Sequence, residues 1–282
     1  MTAGCPASQN PRVGVVVVSY RSPQRTCTFV REELPRLPFP WVACVVEVAS
    51  LPETRQALEG GLPEGVVLLT TQENLGYSRG NNWGAEELRR RFPSLDYLLI
   101  ANDDIQIPPD HGLEGLMEAL DAHPAWGIAG PDVRGLDDVA QSPWNTSADL
   151  GNECCPAFPA TASPFGGETR ECYGVRGCFM LVRAAAFFQA GGFDAEYFLF
   201  FEEPALGERL RSLGLSTVYW PQARVIHWGS ATIRKALSSW KIYLLYRKSF
   251  LLTARKYWGW SRWRRTTWPL RQLLRRLLGR KG

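Results

Sequence analysis

The sequence predicts an α/β fold, an open and mostly parallel Rossmann-like sheet with helices on both faces. Three observations predict it. The continuous β-branched run VGVVVVS over Val13–Ser19 suits a strand buried on both faces. Strand-like apolar runs then alternate with helical stretches over roughly the first 130 residues, the pattern of a parallel sheet built from crossover units. Polar residues follow the first, second and fourth runs, where such sheets gather ligands beyond the carboxyl ends of their strands.

Each element has its own signal. After the first strand, Ser22-Pro23 opens a helix to about Leu34, with proline in the first turn where its missing N–H costs nothing. Residues 41–48 read as the second strand, 52–58 as a short helix and 66–71 as the third strand. Residues 78–92 form a helix on which Glu86/Arg90 and Glu87/Arg91 stand at i,i+4. Tyr97–Ala101 is the fourth strand, followed by Asn102-Asp103-Asp104. A helix over 109–122 leads to a strand at 127–130. The stretch 133–175, rich in Pro, Gly, Ser, Asp and Cys, carries no clear period. Beyond it come a strand at 178–183, a helix at 203–213 and a strand at 217–219, with no internal repeat.

Charge divides the chain in two. From Arg234 onward there are 15 Lys and Arg and no Asp or Glu, and all five lysines lie there. The first 233 residues hold the other 17 basic and all 28 acidic residues, an excess of 11 negative charges. A lysine-dependent phosphate loop or Schiff base therefore has no place in the body. An acidic body also argues against nucleic acid as a partner. With only His111, His123 and His227, a His-rich metal site is excluded. Seven scattered cysteines without a C-x-x-C read as reduced thiols of a cytosolic protein. Zinc on Cys154, Cys155, Cys172 and Cys178 is the alternative, at a spacing that fits no structural-zinc pattern. The start carries no signal peptide, and no apolar run reaches the roughly 18 residues that span a bilayer.

Four segments carry candidate chemistry. Two adjacent carboxylates, Asp103 and Asp104, end the apolar strand DYLLIA; they suit a divalent cation or a ribose, and otherwise cap the following helix. Glu202-Glu203 follows the aromatic stretch FDAEYFLFF. A carboxylate against such a wall can serve as a general base, or simply complement a helix dipole. His227, in VIHWGSAT, is a ligand if carboxylates meet it and structural if they do not. Gly76-Tyr77-Ser78-Arg79-Gly80 fits G-x-S-x-G, and Asp194 and His227 downstream would complete a serine-hydrolase order. Residues 72–75, however, separate Ser78 from the preceding strand.

Taken in order, VVVVSYRSP, CVVEVAS, ENLGYSRGNN, LLIANDD, GGFDAEYFLFFEEPALGERLRSLG and P…VIHWGSAT resemble the inverting glycosyltransferases of family 2, near their rhamnosyltransferase-like branch. The resemblance runs from about Val13 to Ser230. It implies a GT-A fold over 1–233, with a donor-binding half at about 11–132 and an acceptor and catalytic half at about 133–233. It implies a nucleotide-sugar donor, a glycan or lipid-linked acceptor, and Mn2+ or Mg2+. Carried over by position, Tyr20, Glu47 and Ser50 lie near the base, and Arg79 and Asn82 contact the donor. Asn102, Asp103 and Asp104 take the place of the D-x-D motif, with Asp104 as metal ligand, Asp103 as ribose or metal contact, and His227 near the same metal. Glu203, beside Glu202, is the expected catalytic base. The chain departs from the family pattern at Glu47, at Asn102 and at Glu202-Glu203-Pro204-Ala205. A non-catalytic sugar-nucleotide or glycan-binding member of the same fold is the alternative.

Residues 234–282 form a basic extension. Leu270, Leu273, Leu274, Leu277 and Leu278 recur at helical spacing among arginines, just after Trp258, Trp260, Trp263 and Trp268. That pattern suits a helix on an anionic membrane surface, or one packed on the acidic body or a partner. A family member that extends lipid-linked acceptors would sit in the cytoplasm, peripherally on the inner face of the cell membrane.

Overall fold

The computed structural model describes residues 11–144, 167–229 and 238–267. Its strands are β1 (Val13–Ser19), β2 (Trp41–Glu47), β3 (Val67–Thr70), β4 (Tyr97–Ala101), β5 (Ile105–Gln106), β6 (Trp126–Arg134), β7 (Arg170–Cys172), β8 (Phe179–Arg183) and β9 (Ser216–His227). They form one sheet in the order β3-β2-β1-β4-β8-β6-β9-β5, with β7 also on β9. The helices are α1 (Pro23–Thr28), α2 (Pro52–Gly61), α3 (Gly76–Arg91), α4 (Glu114–Ala122), α5 (Ala184–Gln189), α6 (Glu202–Ser212) and α7 (Ser239–Lys256). A π-helical turn and a 3-10 turn carry α1 on to Arg36.

The first four strands are parallel to their neighbours, as the alternating sequence predicts. Beyond β4 the sheet is mixed: β8 runs antiparallel to β4 and β6, while β6 and β9 are parallel. The chain steps outward from β1 to β3 and then returns to place β4 on the other side of β1. The carboxyl ends of β1 and β4 therefore flank a topological switch point, where a crevice opens.

The period-two geometry of β1 splits the core. Val13, Val15 and Val17 face α1 and α4 with Phe29, Leu34, Leu116 and Leu120. Val16 faces α3 and α6 with Leu88, Ile100, Leu206 and Leu210. Each such fully buried side chain contributes about 1.5–3 kcal/mol.

Several local expectations are corrected. The helix expected over 109–122 starts only at Glu114. Gly112 has φ +61°, and His111 Nδ1 accepts the Leu113 N–H at 3.0 Å, so these residues form a turn instead. On α3, Glu87 takes both Arg90 and Arg91, while Glu86 pairs with Arg89 rather than Arg90. The strand expected at 217–219 extends to His227. Its register with β6 jumps from Pro131↔Trp220 to Asp132↔Arg224, a bulge that accommodates Pro221.

The extension after residue 233 is continuous with the body over its described part. The N-terminus of α7 is capped by Ser238, and its buried residues Ser249, Phe250, Thr253 and Ala254 fall on one helical face. Phe250, Trp258 and Trp260 pack with Trp144, Tyr197 and Phe201. Lys256 Nζ lies 2.6 Å from Asp194 Oδ2, which joins the basic extension to the acidic body. The first turns of the helix, ahead of this buried face, expose Trp240, Tyr243 and Leu244. No helix among the described residues is long and apolar enough to cross a membrane. The leucine stripe at 270–278, Trp268, Cys154 and Cys155 lie outside the described residues.

Candidate active site

The crevice floor is a polar network beneath the ends of β1, β2 and β4. Glu47, the last residue of β2, is wholly buried; its Oε1 accepts the Arg21 N–H at 2.9 Å, and its Oε2 has no partner. Burial raises its pKa, against the Ser19 hydroxyl and the Arg21 amide. Arg21 has φ +51°, which bends the chain over Glu47 and places its guanidinium 5.5 Å from the Tyr20 ring. Tyr20 is half-buried beside this turn. Glu47 thus braces the turn at Arg21 from below.

Asp103 is also a brace. Its Oδ2 accepts from Ser22 Oγ at 2.9 Å and Thr26 Oγ1 at 2.7 Å, and its Oδ1 accepts from Arg25 Nε at 3.0 Å. Burial raises its pKa against these contacts, and Asp104 adds to the rise. Both oxygens are engaged in fixing the first turn of α1 to the end of β4. Asn102, half-buried, continues the strand by donating its N–H to the Cys178 carbonyl at 2.9 Å.

Asp104 is differently placed. Its main chain accepts the Trp228 N–H at 3.0 Å, and the pairing of β5 with β9 sets Ile105 opposite His227. Asp104 Oδ1 is buried, lacks a hydrogen-bond partner, and lies 3.3 Å from His227 Nε2. On its other side, His227 Nδ1 is 2.7 Å from Gln141 Oε1. With the amide oxygen in that position, Nδ1 carries the proton and Nε2 points at the carboxylate. Burial pulls the His227 pKa down, but Cys178 and Asp104 push it up to about 10. Burial opposes ionisation of Asp104, yet His227 and Arg25 hold its pKa below the usual range. As it stands the contact is an ion pair between the protonated ring and the carboxylate, and the same two atoms would share a small divalent cation only in place of the Nε2 proton. The spacing suits neighbouring positions around one small divalent cation, whose remaining places phosphate oxygens and water can fill. No group of three or more His, Cys, Asp or Glu is gathered for a metal among the described residues, which leaves Asp104 and His227 as the two candidate ligands here.

The candidate base sits at the start of α6. Phe200 and Phe201 have φ +72° and +69°, two left-handed phenylalanines in succession, each costing on the order of 1–3 kcal/mol. Glu202 follows, buried, with Oε2 unpartnered; burial and then the charge of Glu203 raise its pKa well above the carboxylate range. Glu203 is half-buried, and its Oε1 accepts the Gly177 N–H at 2.9 Å. The Gly177 carbonyl accepts from the Tyr77 hydroxyl at 2.7 Å. A Cβ on Gly177 would meet Glu203 Oε1 at 2.5 Å, so only glycine allows this approach. Tyr77 N–H in turn donates to the Phe198 carbonyl at 2.8 Å. The start of α3, the turn at 177 and the segment 198–203 form one connected unit.

Other predicted residues fall elsewhere. Asn82 Nδ2 donates to the Phe193 carbonyl and Asn82 Oδ1 accepts the Phe193 N–H, both at 2.8 Å, so its amide holds the Gly192–Phe193 turn. Arg79 is exposed and pairs with exposed Glu73 at 2.7 Å, a surface pair worth about 0–1 kcal/mol and easily exchanged. Ser50 N–H donates to the Thr71 carbonyl beside β3. No hydrolase triad assembles: Ser78 is fully buried, Asp194 is bound to Lys256 and His227 faces Asp104. Cys172 is buried, its pKa raised to about 12 by burial. Gln141, Tyr77 and Gly177 were not singled out by the sequence. Gln141 and Gly177 belong to no local motif, Tyr77 is an unassigned position within the Gly76–Gly80 segment, and Gln141 meets His227 across 86 residues.

Comparison with known proteins gives this geometry a context. No family model matches the chain. It is 29% identical over 228 residues to N-acetylglucosaminyl-diphospho-decaprenol L-rhamnosyltransferase of Mycobacterium tuberculosis, covering 74% of this chain and 72% of that one. It is 26% identical over 254 residues to the O-antigen biosynthesis protein RfbC of Myxococcus xanthus, covering 86% of this chain but 20% of the longer relative. Among solved structures, the mannosyltransferase PcManGT of Pyrobaculum calidifontis, in complex with GDP-Man and Mn2+, superposes with a TM-score of 0.60 at 15% identity, covering 93% of this chain and 68% of that one. TarS of S. aureus superposes with a TM-score of 0.56 at 13% identity, covering 87% and 66%. The fold they share with this chain is GT-A.

Proposed function

We propose that this rhamnosyltransferase-like glycosyltransferase of the GT-A fold moves an L-rhamnosyl residue from a nucleoside-diphosphate donor to a hydroxyl of N-acetylglucosamine carried on a diphospho-polyprenol lipid. The similarity to the mycobacterial rhamnosyltransferase over most of both chains carries the choice of substrates. The chemistry rests on the crevice, where a cation site and a carboxylate base flank the β1/β4 switch point.

The acceptor hydroxyl oxygen forms the new bond to the anomeric carbon while the bond from that carbon to the diphosphate oxygen breaks. The electron pair leaves with the diphosphate, and the acceptor proton passes to the Glu203 carboxylate. One in-line displacement inverts the anomeric centre. The Gly177 N–H holds the receiving carboxylate through Oε1. Neutral Glu202 keeps a second negative charge out of the same corner. Asp104 and His227 would hold a divalent cation, with Gln141 fixing the imidazole tautomer; when bound, Mn2+ or Mg2+ supplies positive charge for the leaving diphosphate. Arg79, released from Glu73, is within the same helix start and adds a second cation for the donor. Asn102 and Tyr20 line the approach of the nucleotide.

The aromatic face of α7, with Lys241, Arg247 and Lys248 on the same helix, provides a dock on an anionic membrane where a polyprenol acceptor resides. The protein would then act peripherally at the inner face of the cell membrane.

The reading is tested with L-rhamnose activated as its dTDP, UDP and GDP derivatives, a diphospho-polyprenol-linked N-acetylglucosamine and Mn2+. Nucleoside diphosphate release that requires the acceptor is expected from one donor. Glu203→Gln should lower turnover at least about a hundredfold while leaving donor binding within about twofold. Undiminished turnover in Glu203→Gln contradicts the base assignment.

A further inference from the structure

The segment that presents Glu203 is held by the C-terminal helix. Phe200 and Phe201 occupy the left-handed region immediately before α6. Tyr246 of α7 packs on both, with ring centroids 5.3 Å from Phe200 and 4.9 Å from Phe201. Phe250, one turn on, meets Phe201 edge-on at 5.8 Å. Two hydrogen bonds close the same junction: Ser249 Oγ donates to the Leu199 carbonyl at 2.8 Å, and the Tyr197 and Thr253 hydroxyls lie 2.9 Å apart. Just over two turns of α7, from Tyr246 to Thr253, therefore grip residues 197–201, and nothing but Glu202 separates that grip from Glu203.

We infer that α7 is part of the catalytic apparatus, with Tyr246, Ser249 and Phe250 as positioning residues that hold the Phe200–Phe201 backbone in its left-handed form and so aim Glu203. The inference rests on the reading of Glu203 as base. Its physical basis is that two bulky residues stay in a disfavoured backbone region only when their surroundings over-determine them. The surroundings here are supplied by α7. If Phe201 relaxes to an ordinary φ, the first turn of α6 rotates and Glu203 leaves the Gly177 N–H. Strain stored at the mouth of a site and locked by a distant element is a device of pre-organisation. It also means that the basic extension, which composition separates from the body, cannot leave the body without disarming the base.

The test compares Tyr246→Ala, Tyr246→Phe and Ser249→Ala in the full chain, each alone and with Glu203→Gln. Turnover is followed with a radiolabelled donor so that residual rates are readable, and binding of UDP, GDP and dTDP with Mn2+ is followed by calorimetry. A misplaced base costs about tenfold to a hundredfold in turnover. Tyr246→Ala should show that loss in kcat with nucleotide binding within twofold of the parent, Tyr246→Phe should restore the parent rate, and Ser249→Ala should lose several-fold. Once Glu203→Gln is present, none of the α7 substitutions should lower the rate further. Should Tyr246→Ala fail to fold, seen as lost nucleotide binding, Ser249→Ala decides on the same criteria. Parent kcat in Ser249→Ala and Tyr246→Ala, or losses that add fully to that of Glu203→Gln, overturn the positioning role and leave the base assignment standing. Full turnover in Glu203→Gln overturns the base assignment first.

Discussion

At the scale of single residues, Asp103 and Asn82 serve the fold: one pins the first turn of α1 to the end of β4, the other holds the Gly192–Phe193 turn. Asp103 and Asn82 stand at positions that suggest ligand contact, yet the polar atoms of each are consumed by neighbours in the chain: Ser22, Arg25 and Thr26 for one, the Phe193 main chain for the other. Residue type and order are legible in a sequence, whereas side-chain direction is fixed by packing that no local pattern encodes. Gln141 escapes notice for the same reason, since its role exists only through contact with His227. The adjacent glutamates diverge: burial, and then the charge of Glu203, keeps Glu202 neutral, while half-buried Glu203 accepts the Gly177 N–H. This has a consequence for stability. The unfolded chain ionises Glu202 near the ordinary glutamate pKa, about 4.3, while the folded chain retains the proton to higher pH. The contribution of Glu202 is therefore intact below that value and is lost progressively as pH rises toward its raised folded pKa. Glu202→Gln, isosteric and uncharged, should leave the melting temperature little changed at pH 4 and raise it at pH 8. Thermal unfolding across that range checks the sign, and a gain that is larger at pH 4 contradicts it.

At the scale of elements, legibility follows burial. Strands β1 and β4 coincide with the sequence reading residue for residue because a continuous apolar run buried on both faces has no competing period. Strand β9 outruns the expected 217–219 because the chain passes Pro221 through a bulge and resumes pairing with β6 at Arg224. The structure of α7 is hidden in another way: its charge suggests a detached extension, while its buried face of Ser249, Phe250, Thr253 and Ala254 docks on the aromatic cluster. The turn at Gly177 is the smallest element with the largest leverage, since it joins Tyr77 of α3 to Glu203 of α6. Gly177→Ala places a methyl group where the Glu203 carboxylate lies. It should reduce kcat by about tenfold to a hundredfold with metal-dependent nucleotide binding preserved. Steady-state kinetics alongside calorimetry make the distinction, and an unchanged kcat would show that Glu203 tolerates displacement.

At the scale of the molecule, the division between an acidic body and a basic extension acquires a physical meaning. The two are tied by Lys256 to Asp194 and Glu196, and by Arg255 to Glu196, while Trp240, Tyr243 and Leu244 face outward from the same helix. On the proposed membrane reading, an anionic bilayer would repel the acidic body, and a basic aromatic helix fixed to that body would offset the repulsion and set its orientation. Replacing Trp240, Tyr243 and Leu244 together by serine should remove most co-sedimentation of the full chain with phosphatidylglycerol vesicles at low salt, with transfer to a water-soluble acceptor retained. Equal sedimentation of parent and variant excludes this face as the dock. The central claim is that one carboxylate-assisted displacement occurs in the crevice between Asp104–His227 and Glu203. The anomeric configuration of the product, read by NMR against that of the nucleotide-activated L-rhamnose supplied, tests it most directly. Inversion, seen with the parent and lost with Glu203→Gln, is the result predicted; a product of retained configuration contradicts the account.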